Sequence, residues 1–348
     1  MELGALALRL GLTAKGPPDH VIRGVRDIER LATNAGFEDG WVYFIESAAV
    51  LNRHPNCGSG GVVLSTPELA NHFSRALIVS ACNARLAFID LLKLFEQTPV
   101  FSAGVAPGAV VREGAHVDPT AAILPGAVVM EGAFVGPRCV VYPGAVIEPH
   151  ARVGDDTVLH PGVVLGHHCS IGKRGIIHGG SVIGADGFGF FDAPGGRHKI
   201  PQIGSVEIGD DVEIGANCTI DRATIELTRI GEQTKLDDQV HIGHNCQIGR
   251  FVYVAGHTGV AGSVVIEDGV MISGMVCITD HVRLARGSII MGASGVVRDT
   301  DPGEAYFGTP ARPARQMHRI NVALGRLPEL LARVRELESK LAARDLVR

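Results

Sequence analysis

The chain has 348 residues, 46% of them hydrophobic, with 32 Lys and Arg against 37 Asp and Glu for a formal charge of -5. It can therefore bury a full core, and its bulk charge calls for neither nucleic acid nor an anionic membrane. Its 45 glycines, roughly twice the usual level and without a collagen triplet, point to a repeat whose corners need glycine.

The amino terminus, MELGALALRLGLTAKG, lacks the basic region and small-residue cleavage site of a secretory leader. No apolar run reaches the roughly 18 residues of a membrane span, so a cytoplasmic chain without a transmembrane segment is expected, with room for peripheral contact with the inner membrane. Residues 1–100 form the first predicted unit, a small α/β domain. Trp41 to Ile45, Val62 to Leu64 and Leu77 to Val79 read as short strands, and Ala84 to Phe95 places apolar residues at helical spacing. Neither GxGxxG nor a P-loop occurs there, so a nucleotide site of the common dinucleotide or ATP type is not expected.

From Val105 to Ile183 an aliphatic residue recurs every six positions without a missed beat. The register resumes at Ile208, Ile214 and Ile220, shifts by four residues, and runs from Ile230 to Val296. A period of six belongs to neither a helix nor an isolated strand. It suits a short strand and a turn, repeated with one aliphatic side chain pointing into a narrow core. Three such hexads close one triangular turn, so the expected architecture is mainly β: a parallel β-helix over 101–300, with equivalent residues 18 apart stacked at the strand spacing of about 4.8 Å. Five of the seven cysteines (139, 169, 218, 246 and 277) lie in this repeat without a CxxC pair, which reads as small side chains in the coil and not as a zinc site or disulfide framework.

The repeat is interrupted over about 186–204, an insertion expected to project from one corner as a loop. Its Phe188, Phe190 and Phe191 lie close to Arg197, His198 and Lys199, either packing on one another or contacting substrate. Beyond the last hexad, residues 301–348 form the third predicted unit. Pro302 and the run Gly308 to Pro313 break the pattern, and Leu324, Leu327, Leu330, Leu331, Val334, Leu337 and Leu341 recur at helical spacing. This amphipathic tail carries Arg312, Arg315, Arg319, Arg326, Arg333 and Arg335, a face for packing or for an acidic partner.

The 15 histidines supply the candidate chemistry. Ile242, Val260 and Ile278 are predicted to stack. His244 and Gly262 are then third in their hexads and His281 fourth, so the three line one shallow column. Asp237 and Asn245 are candidate orienting groups, and His257 is a further polar position nearby. A neutral imidazole to take a proton, a glycine N–H open to an oxyanion and a second histidine suit acyl transfer. No serine or cysteine sits in a nucleophile elbow, which favours direct transfer over an acyl-enzyme. No carboxylate and histidine set has the spacing of a known metal site.

The phrases IGADGFGF (183–190), KIPQIGSVEIGDDVEIGANCTIDRAT (199–224) and LDDQVHIGHNCQIG (236–249) resemble those of the UDP-3-O-(3-hydroxyacyl)glucosamine N-acyltransferases of lipid A biosynthesis. The likeness covers the solenoid closely and the whole chain loosely. It implies a left-handed coil, a homotrimer with active sites between adjacent solenoids, and a 3-hydroxyacyl donor whose phosphopantetheine arm arrives on acyl carrier protein, with no metal or tightly bound cofactor. It implies His244 as general base toward the glucosamine 2-amino group and Asp237 as the residue that orients it. Gly262 becomes the oxyanion donor, His281 the second active-site histidine, and Gly295 and Val297 the gauge of the acyl channel. Methionines found at that gauge in some relatives are absent here, from which a donor chain longer than 14 carbons is expected. Phe44 carries over as a uridine contact, while Ser47 stands where the family has asparagine and Val50 where it has tyrosine, so the acceptor could differ. The alternatives are a paralogue acylating another nucleotide amino sugar, or the hydroxyl of one, a non-catalytic hexapeptide-repeat scaffold, and a zinc solenoid with histidines converging between copies.

Overall fold

The computed structural model describes residues 1–28, 36–53, 60–79 and 83–345, and the chain divides into two compact units at Val100 and Phe101. Cys57 and Cys82 lie outside the described residues.

The first unit opens with a helix, Leu3–Leu10, that the sequence reading did not anticipate; it ends on Gly11, whose left-handed φ of 63° closes the carboxyl end. Its Leu3 and Leu6 are buried against Val42, Val62, Leu64, Leu77 and Leu91. The sheet has five strands in the order Thr13–Lys15, Ala76–Ile78, Val62–Ser65, Trp41–Phe44 and Gly24–Arg26. Only the first pair is antiparallel. The helix Ala84–Phe95 falls where its spacing predicts, and the Asn83 side chain accepts a hydrogen bond from the Arg85 N–H to cap it.

The second unit is the β-helix. Two-residue strands recur on three faces, forming sheets of 10, 9 and 12 strands. In the regular part residues 18 apart pair in parallel, as Val128 with Val146 and Val129 with Ile147. The aliphatic beat is buried from Ile123 onward, with Val111 and Val117 partly buried and Val105 exposed, and Ile147, Leu165, Ile183, Ile220, Ile242 and Val260 form one file of the core, each fully buried. Each buried aliphatic side chain of this kind contributes about 1.5–3 kcal/mol, so the stability of the coil is spread along its length. Cys139, Cys169, Cys218 and Cys246 are buried small residues of the coil, while Cys277 is exposed.

Two departures from the 18-residue step position the candidate site. Ile171 pairs with Ile208, because the intervening insertion leaves the coil and forms an antiparallel hairpin, Phe190–Ala193 with Gly196–Lys199. Ile214 then pairs with Leu236 and Ile220 with Ile242, the four extra residues being taken up around 221–229. At the far end one sheet continues past the hexads through Ala305–Phe307 and Arg312–Pro313, with Tyr306 buried. Helices begin at Ala314, directly after this strand pair and ten residues before Leu324, where the hydrophobic beat starts. The tail is two helices, Ala314–Gly325 and Leu327–Asp345. Leu324, Leu327, Leu330, Leu331, Val334 and Leu337 are exposed in the single chain. No described helix is long and apolar enough to cross a membrane.

Candidate active site

Corners of the coil repeatedly require left-handed backbone, where asparagine, aspartate and histidine are among the better-tolerated side-chain-bearing residues. Asn245, His257 and His281 are such corner residues, with φ of 62°, 58° and 58°. Their place in the fold thus follows from the turn, and their side chains project outward from it.

His244 precedes one of these corners and is tightly constrained. A Cβ on Gly262 would stand 2.7 Å from both Cε1 and Nε2 of its ring, and a Cβ on Gly187 would stand 2.6 Å from its Cβ and 3.0 Å from Cδ2. The imidazole is therefore held between a glycine of the next coil and a glycine of the insertion, and only glycine fits at either place. Backbone hydrogen bonds from Ser263 N to His244 O (2.8 Å) and from His281 N to Gly262 O (3.2 Å) tie the successive coils together. Gly262 N–H has no acceptor among the described residues.

The hydrogen bonds of Asn245 define the neutral tautomer of this histidine. Its Oδ1 accepts from Thr224 N–H (3.0 Å) and its Nδ2 donates to Ile225 O (3.1 Å), so two backbone groups define which end of the amide is oxygen. His244 Nδ1 lies 3.0 Å from that Oδ1. An amide oxygen can only accept, so Nδ1 carries a proton, and in the neutral ring Nε2 keeps its lone pair on the Gly262 side. The adjacent Cys246 cannot serve as a nucleophile: burial pushes its thiol up to about 12, and it donates to Ala261 O at 3.1 Å.

Within one chain Asp237 lies apart from His244. It lies at the preceding corner, where its carboxylate accepts from the N–H groups of Asp238 (2.8 Å) and Gly256 (3.0 Å). His257, exposed, shares that corner through its N–H to Asp238 O (3.2 Å). The reason is geometric: one hexad advances the chain by one face, so a residue a hexad away points from another edge of the prism. His281 is exposed and lies one place off the His244 and Gly262 file, over Ser263 and Asn245.

Phe188 and Phe190 project from the insertion, meet edge to face at 5.2 Å and are 84% and 45% exposed. Gly295 is not open space, since its missing Cβ would stand 3.0 Å from Thr309 Cγ2, and Val297 is exposed. In the first unit, Phe44 stacks on Phe88 (4.5 Å, 8°). With Val50, Arg26, Glu46 and Leu92 it lines a cavity of about 490 Å³. Ser47 is exposed at the start of the helix Ala48–Arg53, and its carbonyl accepts from Val50 N–H.

Three residues without a role in the sequence reading stand out. Asp221, 8% exposed, has its carboxyl pushed above the usual range by burial, while His241 and His244 pull it back. Its Oδ2 is 3.8 Å from His241 Nε2. Arg222, 2% exposed, donates to Gly184 O (2.8 Å) and Gly204 O (3.2 Å) at the two roots of the insertion, and its Nη1 lies 2.6 Å from His167 Nε2. Gln202 is 7% exposed. Among the described residues no group of three or more His, Cys, Asp or Glu is placed to hold a metal ion.

A family model for bacterial transferase hexapeptide repeats matches residues 150–185 and 227–262. A UDP-3-O-acylglucosamine N-acyltransferase of Pseudomonas aeruginosa (strain LESB58) is 36% identical over 342 residues, covering 98% of this chain and 95% of its own. One from Methylorubrum extorquens (strain PA1) is 46% identical over 146 residues, and the chain spans only 42% of that relative's length. Among solved structures, the Arabidopsis UDP-N-acetylglucosamine acyltransferase aligns with a TM-score of 0.56 and 26% identity, over 60% of this chain and 73% of that one.

Proposed function

The chain belongs to the UDP-3-O-acylglucosamine N-acyltransferase family, and from that membership we propose that it transfers a 3-hydroxyacyl group from acyl carrier protein to the 2-amino group of a UDP-3-O-acyl-glucosamine, a step of lipid A assembly. The observation that carries the reading is the fixed tautomer of His244, which keeps a basic Nε2 beside an unpaired glycine N–H.

In the proposed reaction the amine nitrogen attacks the thioester carbonyl carbon while His244 Nε2 takes its proton. The carbonyl electrons move onto oxygen, where Gly262 N–H stabilises the charge and His281 polarises or binds the reacting group. Collapse expels the phosphopantetheine sulfur, which recovers the proton from the imidazolium, so the products are an amide and a free thiol. No metal, nucleotide hydrolysis or bound cofactor enters this balance. Asn245 holds the imidazole in the required tautomer, and the raised thiol of Cys246 accords with direct transfer.

We assign the working form as a homotrimer. In that assembly Asp237 and His257 are assigned to act on His244 from a neighbouring copy. The cavity lined by Phe44 is suited to a uracil ring, and the phenylalanines of the insertion to the acyl chains. The tail arginines 312, 315, 319, 326, 333 and 335, which form no ion pair among the described residues, suit an acidic carrier.

A second reading, transfer to a different nucleotide amino sugar or to a hydroxyl, is favoured by one feature: Ser47 lies outside the Phe44 cavity, where it supplies no amide-like pair of hydrogen bonds. The test gives the purified protein 3-hydroxyacyl carrier protein with either the UDP-3-O-acyl-glucosamine or UDP-N-acetylglucosamine and reads products by mass. Amide from the first acceptor supports the proposal, and ester from the second alone rejects it for the hydroxyl reading.

A further inference from the structure

A second amide, that of Gln202, ties the insertion to the segment that Asn245 holds at the His244 corner. Gln202 Nε2 donates to Ile200 O (3.0 Å), which orients the amide and turns its Oε1 to accept from the Thr224 hydroxyl (3.0 Å). The N–H of the same Thr224 donates to Asn245 Oδ1 (3.0 Å), the oxygen that receives His244 Nδ1–H. Gly187 closes the arrangement, because the point where its Cβ would be is 2.6 Å from His244 Cβ and 2.9 Å from Gln202 Oε1. Imidazole and amide thus face the same glycine from two sides.

We infer that Gln202 is a positioning residue for the general base, acting through Thr224 and Asn245 to hold the His244 ring with Nε2 toward Gly262. The inference rests on the proposed transfer only in naming His244 the base. Packing alone does not account for an amide here, since an apolar side chain of similar length fills the same volume without a desolvation cost. What the amide adds is direction: its oxygen fixes the rotamer of Thr224 in the four-residue departure from the hexad, where the coil's own ladder gives the least support. Removing it loosens the Thr224 backbone, and the Asn245 amide then loses one of the two groups that define its orientation. It follows that the insertion is part of the catalytic apparatus as well as a wall over it.

The experiment uses the full chain with nitrogen-15 histidine, the His244 signals being identified by their absence in His244→Ala. Gln202→Met and Thr224→Val are expected to lower kcat about tenfold with the acceptor KM within about twofold, and to spread the His244 proton over both ring nitrogens. Thr224→Ser restores wild-type values. Gln202→Glu keeps an acceptor for Thr224 but adds negative charge, so it raises the His244 titration midpoint, and the acid limb of kcat with it, by about one pH unit. The other ionisable groups around this ring, Asp221 on the preceding coil, His241 on the ring's own coil and Asp186 of the insertion, are the same in every variant. Circular dichroism confirms that each variant is folded. The proposal is overturned if folded Gln202→Met and Thr224→Val keep the wild-type kcat and tautomer, or if Gln202→Glu leaves the midpoint in place. A wild type that forms no amide ends the proposed function, while the ring titration still decides the positioning role.

Discussion

Gly262→Ala separates the placement of the imidazole from every other feature of the site. The backbone of Gly262 is outside the left-handed region, so alanine meets no conformational penalty there. The new methyl carbon would nevertheless stand 2.7 Å from His244 Cε1 and Nε2, where carbon contacts settle near 3.5–4.0 Å, so the ring must retreat by roughly 1 Å. Retreat is opposed by the Asn245 hydrogen bond and by Gly187 behind the ring. A misplacement of this size lowers kcat by about a hundredfold, equivalent to about 2.7 kcal/mol of transition-state stabilisation. Where the ring holds its place, the overpacking appears as about 1–3 kcal/mol of lost stability. The N–H of residue 262 survives, so the loss is not that of an oxyanion donor. Gly259→Ala is the control, because nothing stands within 4 Å of its added methyl. Steady-state kinetics and thermal melts of both variants make the comparison. If Gly262→Ala matches Gly259→Ala in both kcat and melting temperature, the glycine sandwich around His244 is refuted.

Three further outcomes follow from the same geometry. Asn245→Gly keeps the left-handed corner but removes the acceptor for His244 Nδ1–H, and kcat is expected to fall about tenfold to a hundredfold in initial-rate assays. Arg222→Ala strands the carbonyls of Gly184 and Gly204; a loss of about 3 kcal/mol is expected in denaturant unfolding, with faster proteolysis in the insertion. Asp221→Asn tests the buried carboxyl through pH. Its folded value lies above the ordinary 3.8, so the native state binds the proton more tightly and ionisation costs stability as pH rises through that raised value. The variant should therefore melt a few degrees above wild type near pH 7, and its advantage should vanish below the ordinary carboxylate range. An advantage that persists or grows in acid contradicts the assignment.

The β-helix was legible because each hexad states its own face: Ile242, Val260 and Ile278 carry the beat and pair in the fold as the count of 18 requires. The same count placed His244 over Gly262. It failed where the step changes, since Asp221 and Arg222 sit after a 37-residue coil, and Gln202 reaches Thr224 across the second irregular one. No fixed spacing finds such pairs. By the same hexad step Asp237 falls on the corner preceding that of His244, as the fold shows. The neighbour of Gly295 was not legible either: the place of its missing side chain is met by Thr309, a residue brought back by the segment beyond the solenoid.

The central claim, that Nε2 of His244 takes the proton of an attacking amine, is tested most directly by product analysis with the wild type and His244→Ala. Each is incubated with 3-hydroxyacyl carrier protein and the UDP-3-O-acyl-glucosamine, and the diacylated product is measured by mass against time. The account predicts amide from the wild type and a rate lower by at least about a hundredfold from the folded variant. Equal rates from the two proteins would contradict it.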